Sequence, residues 1–366
     1  MAHRMFDVTS LTRMAQWLLA AAMVVPVSGH AAGEAAGQPA MGPTGQLLFT
    51  SMRSGAMQIF RIDADGKRET RLTQSTSAEI QPVWSAQGRI AFVSYRSGNG
   101  DIYTMNADGG DLRRLTSGPG LEQSPAWSPD GRRLAYVGEG DGQSGVWVIQ
   151  ADGSGETLVS ANLREVGAPT WSPDGSKLVF VATVKDKLRV MLADLGTGSV
   201  APVTNGNGGE YDPVWSPDGR AIVFVQSGGR TEGVNLRLVR LGNPESVTLT
   251  GGGYTHSQPR FSPDGSKLLY LSNASSQGAV MNVHAMNADG SGMVNLTRWE
   301  HADMSAAWSG DGRQIFFMSF RDWPGQIYRV NADGSGVQRL TQSKGQDGFP
   351  VARPIESAMA GATRIQ

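Results

Sequence analysis

The pentapeptide Trp-Ser-Pro-Asp-Gly recurs along the chain and decides what it can fold into. It stands intact at 127–131, 171–175 and 215–219, and worn at 84–88 (WSAQG), 261–265 (FSPDG) and 308–312 (WSGDG). From Trp84 onward the spacings are 43, 44, 44, 46 and 47 residues. A supersecondary unit repeated at that length predicts a propeller or a related array. A second phrase follows the first within the unit: DADG at 63–66, NADGG at 106–110, QADGSG at 150–155 and NADGSG at 287–292 and 331–336. A Leu-Thr pair closes it at 72–73, 115–116, 249–250, 296–297 and 340–341.

Between these phrases lie short segments rich in β-branched and aromatic residues, such as QPVW (81–84), RIAFVS (89–94), DIYTMN (101–106) and LRRLT (112–116). Each has strand length, and no stretch after residue 31 shows helical periodicity, so the chain reads as all-β. Pro-Asp-Gly and Ala-Asp-Gly supply tight turns, because proline presets φ and glycine accepts positive φ. Ile222–Val225 and Leu178–Val181 are apolar at every position. Such strands belong to sheets covered on both faces, and a ring of four-stranded sheets covers them.

The first unit starts with its second strand at Gln46 (QLLFTS), whereas DGFPVARP (347–354) supplies a lone first strand after the last unit. The span 46–354 is 309 residues, about 44 for each of seven units. The expectation is a seven-bladed β-propeller of four-stranded antiparallel blades, closed by mixing N- and C-terminal strands in one blade. The alternative, six blades with 347–354 as a tail, leaves the first sheet with an open edge.

The phrase P-x-W-S-P-D-G-x-x-L-x-F…I-Y…N-A-D-G-S-G…L-T resembles the β-propeller repeat of the TolB family, the periplasmic component of the Tol-Pal system. It is also similar to the propellers of Tricorn-type and dipeptidyl-peptidase-type proteins. The resemblance implies the fold over residues 46–354. TolB itself carries an α/β domain before a six-bladed propeller, and the peptidases carry an α/β-hydrolase domain with a G-x-S-x-G elbow. Neither is expected here, which predicts a propeller-only relative.

Function classes narrow with composition. With no cysteine, disulfides, thiolate metal sites and cysteine nucleophiles are excluded. A formal charge of −1 gives no general attraction to nucleic acid or anionic lipid. Residues 1–31 read as a signal peptide: His3, Arg4 and Arg13, then the apolar run Trp17–Val27, then small residues up to Ala31. That run is too short to span a membrane. Residues 32–45 read as a flexible leader and 355–366 as a tail. The mature protein is expected to be periplasmic or secreted, and monomeric, with an envelope or secreted protein or peptide as partner.

Candidate site residues follow from position in the repeat. Three residues before the first-strand proline, or its equivalent, stand Glu79, Glu122, Val166, Glu210, His256, Asp303 and Asp347. If the first strand is innermost, these side chains approach the mouth of the central channel. Two uses fit the offset: a site for a divalent cation such as calcium or for basic peptide groups, or acceptors for backbone N–H groups where the chain turns inward. Ser-x-Arg follows the second strand at Arg53, Arg96 and Arg321, on blades that adjoin once the ring closes. These guanidiniums suit a carboxylate-bearing partner or pair within their own blades. Tyr211, Tyr254, Trp299, Trp323 and Phe349 fall in loops as contact candidates, whereas the Trp84, Trp127, Trp171, Trp215 and Trp308 repeat positions read as core. The expected function is a binding module. The alternative is a lyase or hydrolase at the channel mouth, with His256, Glu210 and Asp303 as acid/base groups.

Overall fold

The computed structural model describes residues 45–355, except 141–142, 162, 165, 207, 229–231 and 277–279. The predicted signal peptide, almost all of the leader and almost all of the tail lie outside the described residues. The described chain forms seven four-stranded antiparallel sheets. Blade 1 is built from Gln46–Ser54, Ala56–Asp63 and Thr70–Arg71, with Asp347–Ala352 as its inner strand. Blades 2 to 7 begin with inner strands Glu79–Trp84, Gln123–Trp127, Thr170–Trp171, Glu210–Trp215, His256–Phe261 and Asp303–Trp308. Consecutive inner strands touch around the ring, and the strand of blade 7 meets that of blade 1, which meets that of blade 2. Closure in blade 1 pairs Leu47 with Ala352, Leu48 with Val351 and Ser51 with Asp347.

The apolar core divides into seven clusters, each made by two adjacent blades. The second strand of each blade explains this. In blade 7, Ile315 and Phe317 pack toward blade 6, whereas Phe316 and Met318 pack toward blade 1. In blade 2, Ile90 and Phe92 face blade 1, and Ala91 and Val93 face blade 3. Successive side chains on a strand point to opposite faces, so an unbroken apolar run serves two interfaces at once.

The repeated turns act in the same way. In the turn after Trp127, the Ser128 hydroxyl donates to Asp130 (2.6 Å), accepts from the Arg133 N–H (2.9 Å), and Asp130 also accepts from the Arg132 N–H. The tryptophans then join blades: Trp171 Nε1 donates to the Ala126 carbonyl (2.9 Å) and Trp215 Nε1 to the Thr170 carbonyl (3.3 Å), each in the preceding blade. Turn glycines pack on the proline of the preceding turn. At Gly265, where φ is +73°, an added Cβ would lie 3.2 Å from Pro217 Cδ.

The second-to-third-strand hairpins and the connections between blades share one end of the ring, called here the joining-loop face. The Trp-Ser-Pro-Asp-Gly and Ala-Asp-Gly turns occupy the other. Among the described residues, no helix is long and apolar enough to cross a membrane.

Two stability outcomes follow. Gly265→Ala should cost about 1–2 kcal/mol, read by denaturant melting, from a strained φ and the proline contact together. Ending the chain at Lys344 removes the inner strand of blade 1, and the product should lose its cooperative melt and aggregate through the bared edge of Gln46–Ser54.

Candidate functional site

The inner strands are the innermost elements, and the six residues expected at the channel mouth sit at or next to their starts. Their side chains turn into the blades. Glu79, Glu210, Asp303 and Asp347 are fully buried, and Glu122 and His256 nearly so. Each carboxylate has its own partners. Glu210 accepts the Val190 N–H (2.9 Å) and the Thr204 hydroxyl, both in blade 4, with Arg189 at 3.6 Å. Glu122 accepts from Thr116 of blade 2 (3.0 Å). Glu79 is bound by Ser75 and, at 2.9 Å, by Arg96. Asp347 is bound by Arg53 (2.6 Å), and Arg321 lies 3.7 Å from Asp303.

The Ser-x-Arg residues therefore meet the inner-strand acids of their own blades. The reason is register: Ser51 lies opposite Asp347, Ser94 opposite Glu79 and Ser319 opposite Asp303, so an arginine two residues on reaches back to that acid. The guanidiniums also lie on rings, Arg53 over Phe60 (4.6 Å), Arg96 over Tyr103 (4.9 Å), and Arg321 between Trp299 (4.4 Å) and Tyr328 (4.5 Å). Among the described residues, no group of three or more histidine, aspartate or glutamate side chains is placed to hold a metal ion.

A further polar device joins the blades. A polar residue at or near the start of the third strand reaches into the connection to the next blade: Gln58 donates to the Ser77 carbonyl, Asn282 to the Trp299 carbonyl and Gln326 to the Ser343 carbonyl. Its signal was present as the polar residue before Ile59, Val283 and Ile327.

The axis is lined by a feature with no sequence signal. Two residues after the positions of Glu79, Glu122, Glu210, His256, Asp303 and Asp347, in six of the seven blades, Gln81, Ser124, Asp212, Gln258, Ser305 and Phe349 adopt positive φ, between 46° and 56°. In blades 2, 3, 5, 6 and 7 the bulge falls there in the pairing of the inner strand with the second. Bulge residues of neighbouring blades meet: Gln81 Oε1 accepts the Ser124 N–H at 2.6 Å. Burial pushes the Asp212 carboxyl up, with Arg260 and the Gln258 N–H opposing the shift, and burial pushes Arg260 down to about 10.

The joining-loop face carries the exposed aromatics. Trp323 is 83% exposed, Trp299 47% and Tyr211 37%. Trp323 sits in the hairpin after Ser319 with its ring 6.1 Å from that of Phe320. The other large apolar side chains exposed among the described residues are aliphatic: Met52, on this face, and Leu112, Val247, Met293, Val294 and Val337, in or beside the outer strands.

Burial, chiefly, pushes Glu122 up to about 7, and the nearby Asp101 adds to the shift. The fold thus favours the neutral acid. Stability from this group is complete below its ordinary value of 4.5 and is lost as pH rises through about 7. Glu122→Gln should remove that part of the pH dependence, so melting temperatures at pH 5 and pH 8 should lie closer together in the variant than in the wild type.

The sequence matches the TolB beta propeller domain over residues 23–123, 118–258 and 237–364. An uncharacterized protein of Agrobacterium fabrum is 34% identical over 113 residues, which are 31% of this chain and 36% of that protein. The match thus spans about a third of that relative's length. TolB from Acinetobacter baumannii has a similar fold, with a TM-score of 0.57 and 16% identity over 85% of this chain and 67% of that one. So does an oligogalacturonate lyase from Vibrio parahaemolyticus, with a TM-score of 0.61 and 16% identity over 82% and 86%. With the three domain matches together reaching from residue 23 to 364, the chain belongs to the TolB β-propeller family.

Proposed function

We propose that this propeller is an exported binding module that docks an envelope or secreted protein, or a peptide segment of one, on its joining-loop face. The observation that carries the reading is the placement of Tyr211, Trp299 and Trp323 on that face while the repeat tryptophans Trp84, Trp127, Trp171, Trp215 and Trp308 are buried. Exposed tryptophan and tyrosine offer large contact area at low entropic cost and are enriched among interface anchors. Rigid backing supports them: Trp299 covers Arg321, which is held between rings, and Phe320 lies beside Trp323.

The carboxylates and arginines singled out by the repeat take a different part in this reading. Glu79, Glu210, Asp303, Asp347, Arg53, Arg96 and Arg321 hold the blade junctions under the face, and Trp323 and Tyr211 make the contact. Export follows from residues 1–31 and agrees with the family. An enzyme using His256, Glu210 and Asp303 together has less support, because these groups are buried at the starts of three different blades.

Photocrosslinking tests the proposal. A benzophenone side chain at position 323 should give a discrete protein adduct in the envelope or secreted fraction, and the same group at Ser266, on the opposite face, should not. Trp323→Ala should lower recovery of that partner at least about tenfold, as expected for an anchor worth roughly 1.4 kcal/mol or more, without shifting the melting temperature. Equal adducts from both faces, or none from position 323, would sink the reading.

A further inference from the structure

Blade 6 holds a pair of side chains that the repeat does not call for. Its second strand, Lys267–Ser272, runs into a short 3₁₀ turn at Ala274–Ser276, and its third, Asn282–Asn287, carries His284. The Ser275 hydroxyl lies 2.7 Å from His284 Nε2. His284 Nδ1 lies 3.2 Å from the Asn282 carbonyl, which only accepts, so Nδ1 carries the proton and Nε2 is the bare acceptor of the serine hydroxyl. The imidazole is buried and stacked on Tyr270, with centroids 5.5 Å apart, and Ser275 is exposed in front of it. Burial lowers the proton affinity of His284, with His256 adding to the effect against the Asn282 hydrogen bond, which keeps the ring neutral.

The serine opens onto space. A cavity of about 600 Å³ is lined by Ser275, Asn282, Asn295, Arg298, Trp299 and Glu300, among others. One cation and one anion on the wall leave it without net charge, and half-exposed Trp299 supplies an apolar surface. The Asn295 side chain holds the loop in shape by accepting the Thr297 and Arg298 N–H groups and donating to Asn282. The next serine differs: Ser276 Oγ is engaged with both the carbonyl and the N–H of Val280.

We infer that Ser275 is a nucleophile and His284 its general base, forming an acyl-transfer site for an uncharged carboxylic ester of modest size at the rim of blade 6. Attack on the ester carbonyl forms the Ser275 Oγ–acyl bond while the hydroxyl proton passes to His284 Nε2. Collapse breaks the bond to the leaving alkoxide, which takes that proton and departs as the alcohol. Water then attacks the acyl-serine and loses a proton to Nε2; the Oγ–acyl bond breaks, Nε2 returns that proton to Ser275 Oγ, and the carboxylic acid departs. Arg298 is the wall cation available to the negative charge that develops on the carbonyl oxygen. The site does not rest on partner docking: Trp299 borders both, but the docking test reads Trp323 in the next blade.

The full-length protein treated with a fluorophosphonate should take up one adduct, mapped to Ser275 by peptide mass, and should release p-nitrophenol from p-nitrophenyl acetate with a burst. Ser275→Ala should abolish both, and His284→Gln should slow labelling by roughly 100-fold or more, the scale of a general base. No adduct at Ser275, or unchanged labelling in a folded His284→Gln, would overturn the proposal. Should that variant fail to fold, wild-type selectivity decides: labelling of Ser275 over Ser276 supports the dyad, and equal labelling refutes it.

Discussion

Every blade is apolar on both faces, and this one constraint organises the molecule. A single four-stranded sheet of this kind cannot stand in water, and an open stack would leave two apolar ends uncovered. Closing the stack on itself removes both ends. Seven interfaces then need seven clusters, and the second strands deliver them by alternation, with Ile315 and Phe317 turned one way and Phe316 and Met318 the other. The Trp171 and Trp215 indoles, bonded to the blade before them, add direction to what is otherwise generic packing.

Much of this was legible in the order of residues. Serine, aspartate and glycine in the repeated pentapeptide announce a turn because each has a local job, and those jobs are completed within six residues, from Ser128 to Arg133. The blade count was legible because 347–354 carries a first-strand phrase and the segment at Gln46 starts with a second-strand one, so the two complete one blade. Side-chain direction was not. The offset of Glu79, Glu122 and Glu210 identifies equivalent positions, yet whether such a side chain faces the axis or the blade depends on partners such as the Val190 N–H, twenty residues away on another blade. The left-handed bulge was hidden for a different reason: Gln81, Ser124 and Asp212 occupy it in place of glycine, so no residue type flags it.

Buried acid–arginine and acid–hydroxyl contacts at the junctions rarely add much stability, because desolvation offsets the attraction. Their service is to specify geometry. Each ties an inner strand to its own second strand or to the blade before it, so the loops above, with Trp299 and Trp323, stand on a fixed base. Blade 6 departs from the scheme by placing His256 where its neighbours carry acids, with Tyr270 between it and His284.

The pairing of Leu47 with Ala352 also has a consequence in time. During synthesis the strand that latches the ring emerges about three hundred residues after the strand it joins. Until then blade 1 keeps a bare hydrogen-bonding edge, and blades 7 and 1 have no completed seam. Such long-range closure is slow and exposes the unfinished chain to mispairing. The nascent ring therefore stays unlatched until Asp347–Ala352 emerges, however early its other six blades have formed.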